Sequence, residues 1–281
     1  METGDPLVTA GWLKQNISAP DIRIVEATWF APFMNPEKTG KQVWMEGHIP
    51  GAVFFDIDAI KATDTDLPHM LPDPILFSSR VRKLGIGDGH RVIVYDRNGF
   101  CAAARVWWML RVMGHNDVKV LDGGYAAWLA EGGEVEDMPP VSLERHFTAR
   151  VRSDLVKDAG QVAAAAKGGS YAIVDARPAA RFTGEAPEPR DGLASGHIPG
   201  SLSVPASELI NADSTLKGVS DLQKLLPEHK APTITTCGSG VAAAITALAY
   251  ARLGNWDVAV YDGSWTDWAS DPSRPVATGA A

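Results

Sequence analysis

A chain of 281 residues with 45% hydrophobic and 21% charged side chains has the makeup of a globular protein, long enough for two domains that each bury a core. Its 34 acidic and 26 basic residues leave a net charge of -8 with no dense Lys/Arg run, which argues against a nucleic-acid backbone or an anionic membrane surface as partner. Two cysteines cannot make a disulfide framework, no stretch approaches the roughly 18 apolar residues of a membrane span, and METGDPLVTAGWLKQN has acids where an export signal carries positive charge, so a cytoplasmic location is expected.

Taken in chain order, the predicted elements occur twice. IVEAT (24–28), GHIPGA (47–52) and LDGGYAAW (121–128) return in the same order and at nearly the same offset as IVDAR (173–177), GHIPGS (196–201) and YDGSWTDW (261–268). A period this long means two homologous domains, since solenoid repeats are far shorter. Between the copies lies GGEVEDMPPVSLERHF, where Pro139 and Pro140 disfavour regular structure. The expected division is an N-terminal domain over 1–140, a linker over 141–152 and a C-terminal domain over 153–281. In the second copy the β-branched runs YAIVDA, PTITT and DVAVYD alternate with helical patterns such as VAAAITALAYARL. Short buried strands alternating with helices predict an α/β fold, here two tandem domains, each a parallel sheet with helices on both faces. The tryptophans of RVWWML read as core. His48 and His197 occur in both copies and read as sharing a role in the fold, such as tying down a turn. The seven histidines, at 48, 69, 90, 115, 146, 197 and 229, lie too far apart for a metal-ligand motif, so no metal is expected.

The stretch TTCGSGVAAA admits two kinds of chemistry. Gly238, Gly240 and Ala243 fit a dinucleotide fingerprint, with Asp262 roughly where an acid would hold a ribose. The first copy, YDRNGFCAAA, keeps the strand and helix but sets Arg97, Asn98 and Phe100 against Cys237, Gly238 and Gly240. The chain after Asp262 is also too short for the strands that a dinucleotide domain builds after its fingerprint. A nucleophile explains the stretch better. Cys237 ends a buried strand at the carboxyl edge of the sheet, where open α/β folds place ligands. Gly238 and Gly240 let successive N–H groups turn inward, and a helix beginning near Val241 adds its positive end, so the loop favours an anion on sulfur. A cysteine phosphatase would need an arginine at position 243, which is Ala, and an esterase elbow would need glycines where Ser239 has Cys237 and Val241.

The paired GHIPG segments, CGSGVAA, VDARPAARFTGEAPEPRDG, RVWWMLRVMGH and LDGGYAAW together resemble the tandem-domain rhodanese family over nearly the whole chain. Within it the CGSG loop is similar to that of the mercaptopyruvate-using members; thiosulfate-using members typically carry a cation directly after the cysteine, where this chain has Gly238. The resemblance implies an inactive N-terminal domain, an active C-terminal one and a site in the cleft between them. It implies that Cys237 takes sulfur from 3-mercaptopyruvate as a persulfide, releases pyruvate and passes the sulfur to a thiol or cyanide acceptor, thioredoxin being one possible thiol partner. Backbone N–H groups of residues 238–242, including Gly238, Gly240, Val241 and Ala242, would hold the outer sulfur, with no metal or organic cofactor. Arg181 and Arg190 match the family's substrate-binding arginines, whose planar forks suit a carboxylate beside a ketone. Ser239, His69 and Asp58 match a proton-moving set, the last two contributed by the first domain. Cys101 stands where the family commonly has an aromatic residue near the cleft. A second thiol there could attack the persulfide or pair with Cys237, against the plainer reading of a buried thiol at a core-facing helix start. Thiosulfate as donor, or a persulfide carrier without small-molecule chemistry, are the competing readings.

Overall fold

The computed structural model describes residues 4–228 and 231–280; His229 lies outside them. The chain forms two compact units. The first contains β1 (Leu7–Val8), α1 (Ala10–Asn16), β2 (Ile22–Glu26), α2 (Gly40–Glu46), β3 (Val53–Phe54), α3 (Pro74–Lys83), β4 (Arg91–Tyr95), α4 (Ala103–Val112), β5 (Val118–Leu121) and α5 (Gly124–Ala130). The second contains β6 (Val156–Lys157), α6 (Ala159–Gly168), β7 (Ala172–Asp175), α7 (Ala179–Thr183), β8 (Leu202–Ser203), α8 (Val219–Leu225), β9 (Thr233–Thr236), α9 (Ala243–Arg252), β10 (Ala259–Tyr261) and α10 (Ser264–Ser270). Two short segments pack with the half they do not belong to in sequence: Thr63–Met70 with the second unit and Asn211–Leu216 with the first.

Each unit holds a five-stranded sheet, ordered β1-β5-β4-β2-β3 in the first and β6-β10-β9-β7-β8 in the second, the same topology twice. All pairings are parallel, with Ile24 beside Ile93 and Val25 beside Val94 in one, and Ile173 beside Ile234 and Val174 beside Thr235 in the other. The central strands are apolar without alternation because both faces are covered: Val92, Ile93, Val94 and Tyr95 have no exposed surface. Each such aliphatic side chain contributes about 1.5–3 kcal/mol by leaving water. Trp107 and Trp108 of α4 are fully buried, as RVWWML predicts, and so are Arg105 and Arg111 of the same helix.

The GHIPG histidines do bind a turn in each copy. His48 and Glu136 exchange backbone hydrogen bonds of 2.8 and 3.0 Å, and His197 and Ala277 exchange bonds of 2.8 and 2.9 Å. The ring Nδ1–H of His48 donates to the Trp44 carbonyl at 2.8 Å, and that of His197 to the Phe182 carbonyl at 2.9 Å. Each imidazole also stacks on the ring of the residue whose carbonyl it binds.

Helix α9 begins at Ala243, two residues later than the apolar pattern from Val241 suggests. Gly240 takes φ +77°, a left-handed conformation, and Val241 and Ala242 complete a turn before regular helix starts. Neither α4 nor α9 has a side-chain cap at its N-cap position, so the first-turn N–H groups must find other partners. Cys101 is half-buried in the turn before α4, rather than a buried thiol within the helix start.

Candidate active site

Cys237 follows β9 directly and is only 3% exposed. Its N–H donates to Ser264 Oγ at 3.2 Å and its carbonyl accepts from the Trp265 N–H at 2.9 Å. The Gly238 carbonyl accepts from the Thr266 N–H at 3.0 Å and from Thr266 Oγ1 at 2.7 Å. The start of α10 therefore clasps the outer side of the cysteine loop through its carbonyls. The loop's own donors are left over: among the described residues, the N–H groups of Gly238, Ser239, Val241, Ala242 and Ala243 meet no acceptor.

In the first unit the equivalent donors are taken. Asp96, 3% exposed, stands where the second unit has Thr236. Its carboxylate accepts from the N–H groups of Asn98 (3.3 Å), Phe100 (3.1 Å), Ala102 (3.1 Å) and Ala103 (2.9 Å). Burial pushes the Asp96 carboxyl pKa up, and those four N–H groups pull against it. Their counterparts are Gly238, Gly240, Ala242 and Ala243. Three of these, Gly238, Ala242 and Ala243, meet no acceptor among the described residues, so positions closed by a side-chain carboxylate in one copy are open beside a cysteine in the other.

A guanidinium accompanies each loop, half-buried in the first unit and buried in the second. In the first unit Arg97, the counterpart of Cys237, pairs with Glu26 at 2.7 and 3.1 Å, donates to the Gly47 carbonyl and lies 3.8 Å above the Tyr125 ring. In the second, Arg177 pairs with Asp175 at 2.7 Å, donates to the Gly196 carbonyl at 2.7 Å and lies 4.3 Å above the Trp265 ring. Ring, carbonyl and acid are equivalent positions in the repeat; the arginine arrives from a different place in the chain. Thr28, the counterpart of Arg177, donates its hydroxyl to Glu26 at 2.8 Å. Burial acts to lower the pKa of each guanidinium, and the paired acids, Glu26 for Arg97 and Asp175 with Glu188 for Arg177, outweigh it and raise both.

Arg177 has one nitrogen to spare, and its Nη1 donates to Glu188 at 2.8 Å. Glu188, whose side chain is 2% exposed, also accepts from Arg181 Nε at 3.2 Å and from Arg181 Nη2. Arg181 and Arg190 both reach Gly238: a Cβ there would stand 3.3 Å from Arg181 Nη2 and 3.7 Å from Arg190 Nη1. Arg190 is half-buried and makes no hydrogen bond to a described residue. Burial lowers its pKa, and the neighbouring Cys237 opposes that. His69 places Nδ1 3.1 Å from Ser239 Oγ, is 5% exposed and takes φ +60°.

The structure thus gathers Cys237, Gly238, Ser239, Gly240, Val241, Ala242, Arg181, Arg190 and His69 in the second unit. His69, expected from the first domain, sits there because its segment packs with the second unit. Asp58 lies in the first unit, where its carboxylate accepts from Trp29 Nε1 at 2.7 Å and stands 3.8 Å from Lys61 Nζ. Sequence reasoning missed Glu188, Arg177, Ser264, Thr266 and the role of Asp96. The repeat carried a signal for some of them, because YDGSWTDW and IVDAR were already visible as recurring segments.

The chain is similar to known proteins. The rhodanese-like domain family matches residues 9–131 and again 158–271. The 3-mercaptopyruvate sulfurtransferase of Escherichia coli K12 is 41% identical, over 96% of each chain. The thiosulfate sulfurtransferase of Gallus gallus is 37% identical, over 94% of this chain and 93% of that one. A crystal structure of the Escherichia coli 3-mercaptopyruvate enzyme superposes with a TM-score of 0.85 at 38% identity, covering 93% of this chain and 99% of that one.

Proposed function

The chain belongs to the rhodanese family, and from that premise we propose that it transfers sulfur from 3-mercaptopyruvate through a persulfide on Cys237 to a thiol or cyanide acceptor, releasing pyruvate. The observation that carries the reading is the set of unmet N–H donors at Gly238, Ala242 and Ala243 beside Cys237, against the equivalent donors of Asn98, Ala102 and Ala103 filled by Asp96 in the other unit. Donors that bind a carboxylate in one copy are built to bind an anion in the other.

The chemistry divides into two displacements. The Cys237 thiolate attacks the donor's sulfur, an S–S bond forms, and the carbon–sulfur bond breaks with its electron pair going to carbon as the enolate of pyruvate. The proton released from the donor thiol is returned to that enolate, and the outer sulfur is left as an anion among the N–H groups of residues 238–242. An acceptor thiolate or cyanide then attacks the outer sulfur, and the S–S electron pair returns to Cys237. Ser239, hydrogen-bonded to His69 at 3.1 Å, is placed to carry the proton between donor and enolate. Assigning Asp58 to the same path rests on the sequence resemblance. This cycle uses no metal or organic cofactor. A small thiol protein such as thioredoxin, in a reducing cytoplasm, is the proposed acceptor.

Thiosulfate is the second donor to test, since a relative bearing that name is 37% identical. Gly238 favours mercaptopyruvate, because a dianion would gain from a cation at that position. Incubation with each donor, followed by intact mass and by measurement of pyruvate or sulfite, decides between them. Mercaptopyruvate should add one sulfur atom to the wild-type protein and none to Cys237→Ser; loading that survives the substitution would refute the reading.

A further inference from the structure

Three arginines crowd the base of the Cys237 loop, and they are not equivalent. Arg177 is paired with Asp175 and is spent on the fold. Arg181 gives its Nε/Nη2 edge, one of those able to grip a carboxylate in two-point fashion, to Glu188. Arg190 alone has its guanidinium uncommitted among the described residues, 3.7 Å from the space above Gly238. The neighbouring acids in sequence, Glu185 and Asp191, are exposed and do not enter the cluster.

Leaving aside the Cys237 thiolate itself, which Arg190 also faces, the charges around the loop set Arg177 against Asp175 and Arg181 against Glu188, and leave Arg190 without an acid of its own. We propose that Glu188 sets the donor specificity of the site: by neutralising Arg181 it leaves a single unbalanced cation, matched to a singly charged 2-oxo acid thiol rather than to a dianion such as thiosulfate. Glu188 touches neither sulfur nor donor. It is a positioning residue that acts through Arg181, holding that guanidinium end-on to the loop and cancelling its charge in a site where burial weakens screening. The proposal rests on the reading that Cys237 accepts sulfur from such donors.

The decisive experiment compares kcat/KM for thiosulfate and for mercaptopyruvate in the wild type, Glu188→Gln and Glu188→Asp. Removing the charge while keeping the shape should raise the thiosulfate-to-mercaptopyruvate ratio about tenfold. Glu188→Asp keeps the charge and should keep the wild-type ratio. An unchanged or falling ratio in Glu188→Gln, or an equal shift in Glu188→Asp, would overturn the proposal. A defect of packing alone would lower both donors together and leave the ratio where it was. A second measurement needs no variant: in the wild type, pyruvate should protect Cys237 from iodoacetamide at lower concentration than sulfate does, and better protection by sulfate would also overturn the proposal. If mercaptopyruvate loads no sulfur onto the wild type, the functional reading fails by itself, while the protection assay still reports on the charge balance.

Discussion

The loops after β4 and β9 are one strand-turn-helix built twice, each with N–H groups turned inward and a guanidinium paired with a buried acid. In the first unit adjacent residues of the loop do this: Asp96 accepts from the N–H groups and Arg97 pairs with Glu26. In the second the arginine stands just after β7, as Arg177, and the N–H groups of Gly238, Ala242 and Ala243 meet no acceptor among the described residues. Moving one cation releases the position that Cys237 occupies, and removing one carboxylate releases the donors that its outer sulfur would use. Two copies can therefore share a backbone and differ in which groups satisfy it.

The comparison can be broken at its strongest point first. Arg97→Cys should leave Glu26 buried without its cation and cost about 3–5 kcal/mol of stability, read as a lowered urea midpoint. Adding Thr28→Arg, which brings the cation in from the position it has in the second unit, should recover at least half; no recovery would mean that the two slots are not equivalent. Next, Thr236→Asp transplants the plug into the copy that carries Cys237. Persulfide loading should fall about a hundredfold, the scale on which removing preorganised donors acts. Thr236→Val should load normally, and equal loss in both variants would show that packing, not an occupied ring, is at fault. Arg190→Ala removes the uncommitted cation, so KM for mercaptopyruvate should rise about tenfold with little change in thermal midpoint; an unchanged kcat/KM would remove it from the site. Gly240→Ala comes last. Its φ of +77° costs a side chain about 1 kcal/mol, and Phe100 bears φ +65° at the equivalent place, so a larger loss of stability would contradict the match between the loops.

Much of this organisation was legible in the sequence because it is periodic or local. The duplication, the parallel strands and the cysteine at a strand end follow from apolar runs, and the two arginines and the Ser239–His69 pair came from motif resemblance. What escaped depends on contacts between distant positions. Glu188 reads as one acid in a polar segment until Arg177 and Arg181, 11 and 7 residues away in sequence, are seen to converge on it. Asp96 reads as a turn residue until its carboxylate is found to close four amides. The unit to which His69 belongs is set by packing of Thr63–Met70, which no local pattern encodes.

The guanidinium slot also constrains how such a chain can change over time. Losing Arg97 first strands Glu26 without a cation, whereas gaining an arginine at position 28 first places two cations against one acid, one carbonyl and one ring. Neither single step is neutral for stability, so the two arrangements are separated by a barrier rather than a slope. The position equivalent to Cys237 is therefore held by Arg97 through the stability of its own contacts.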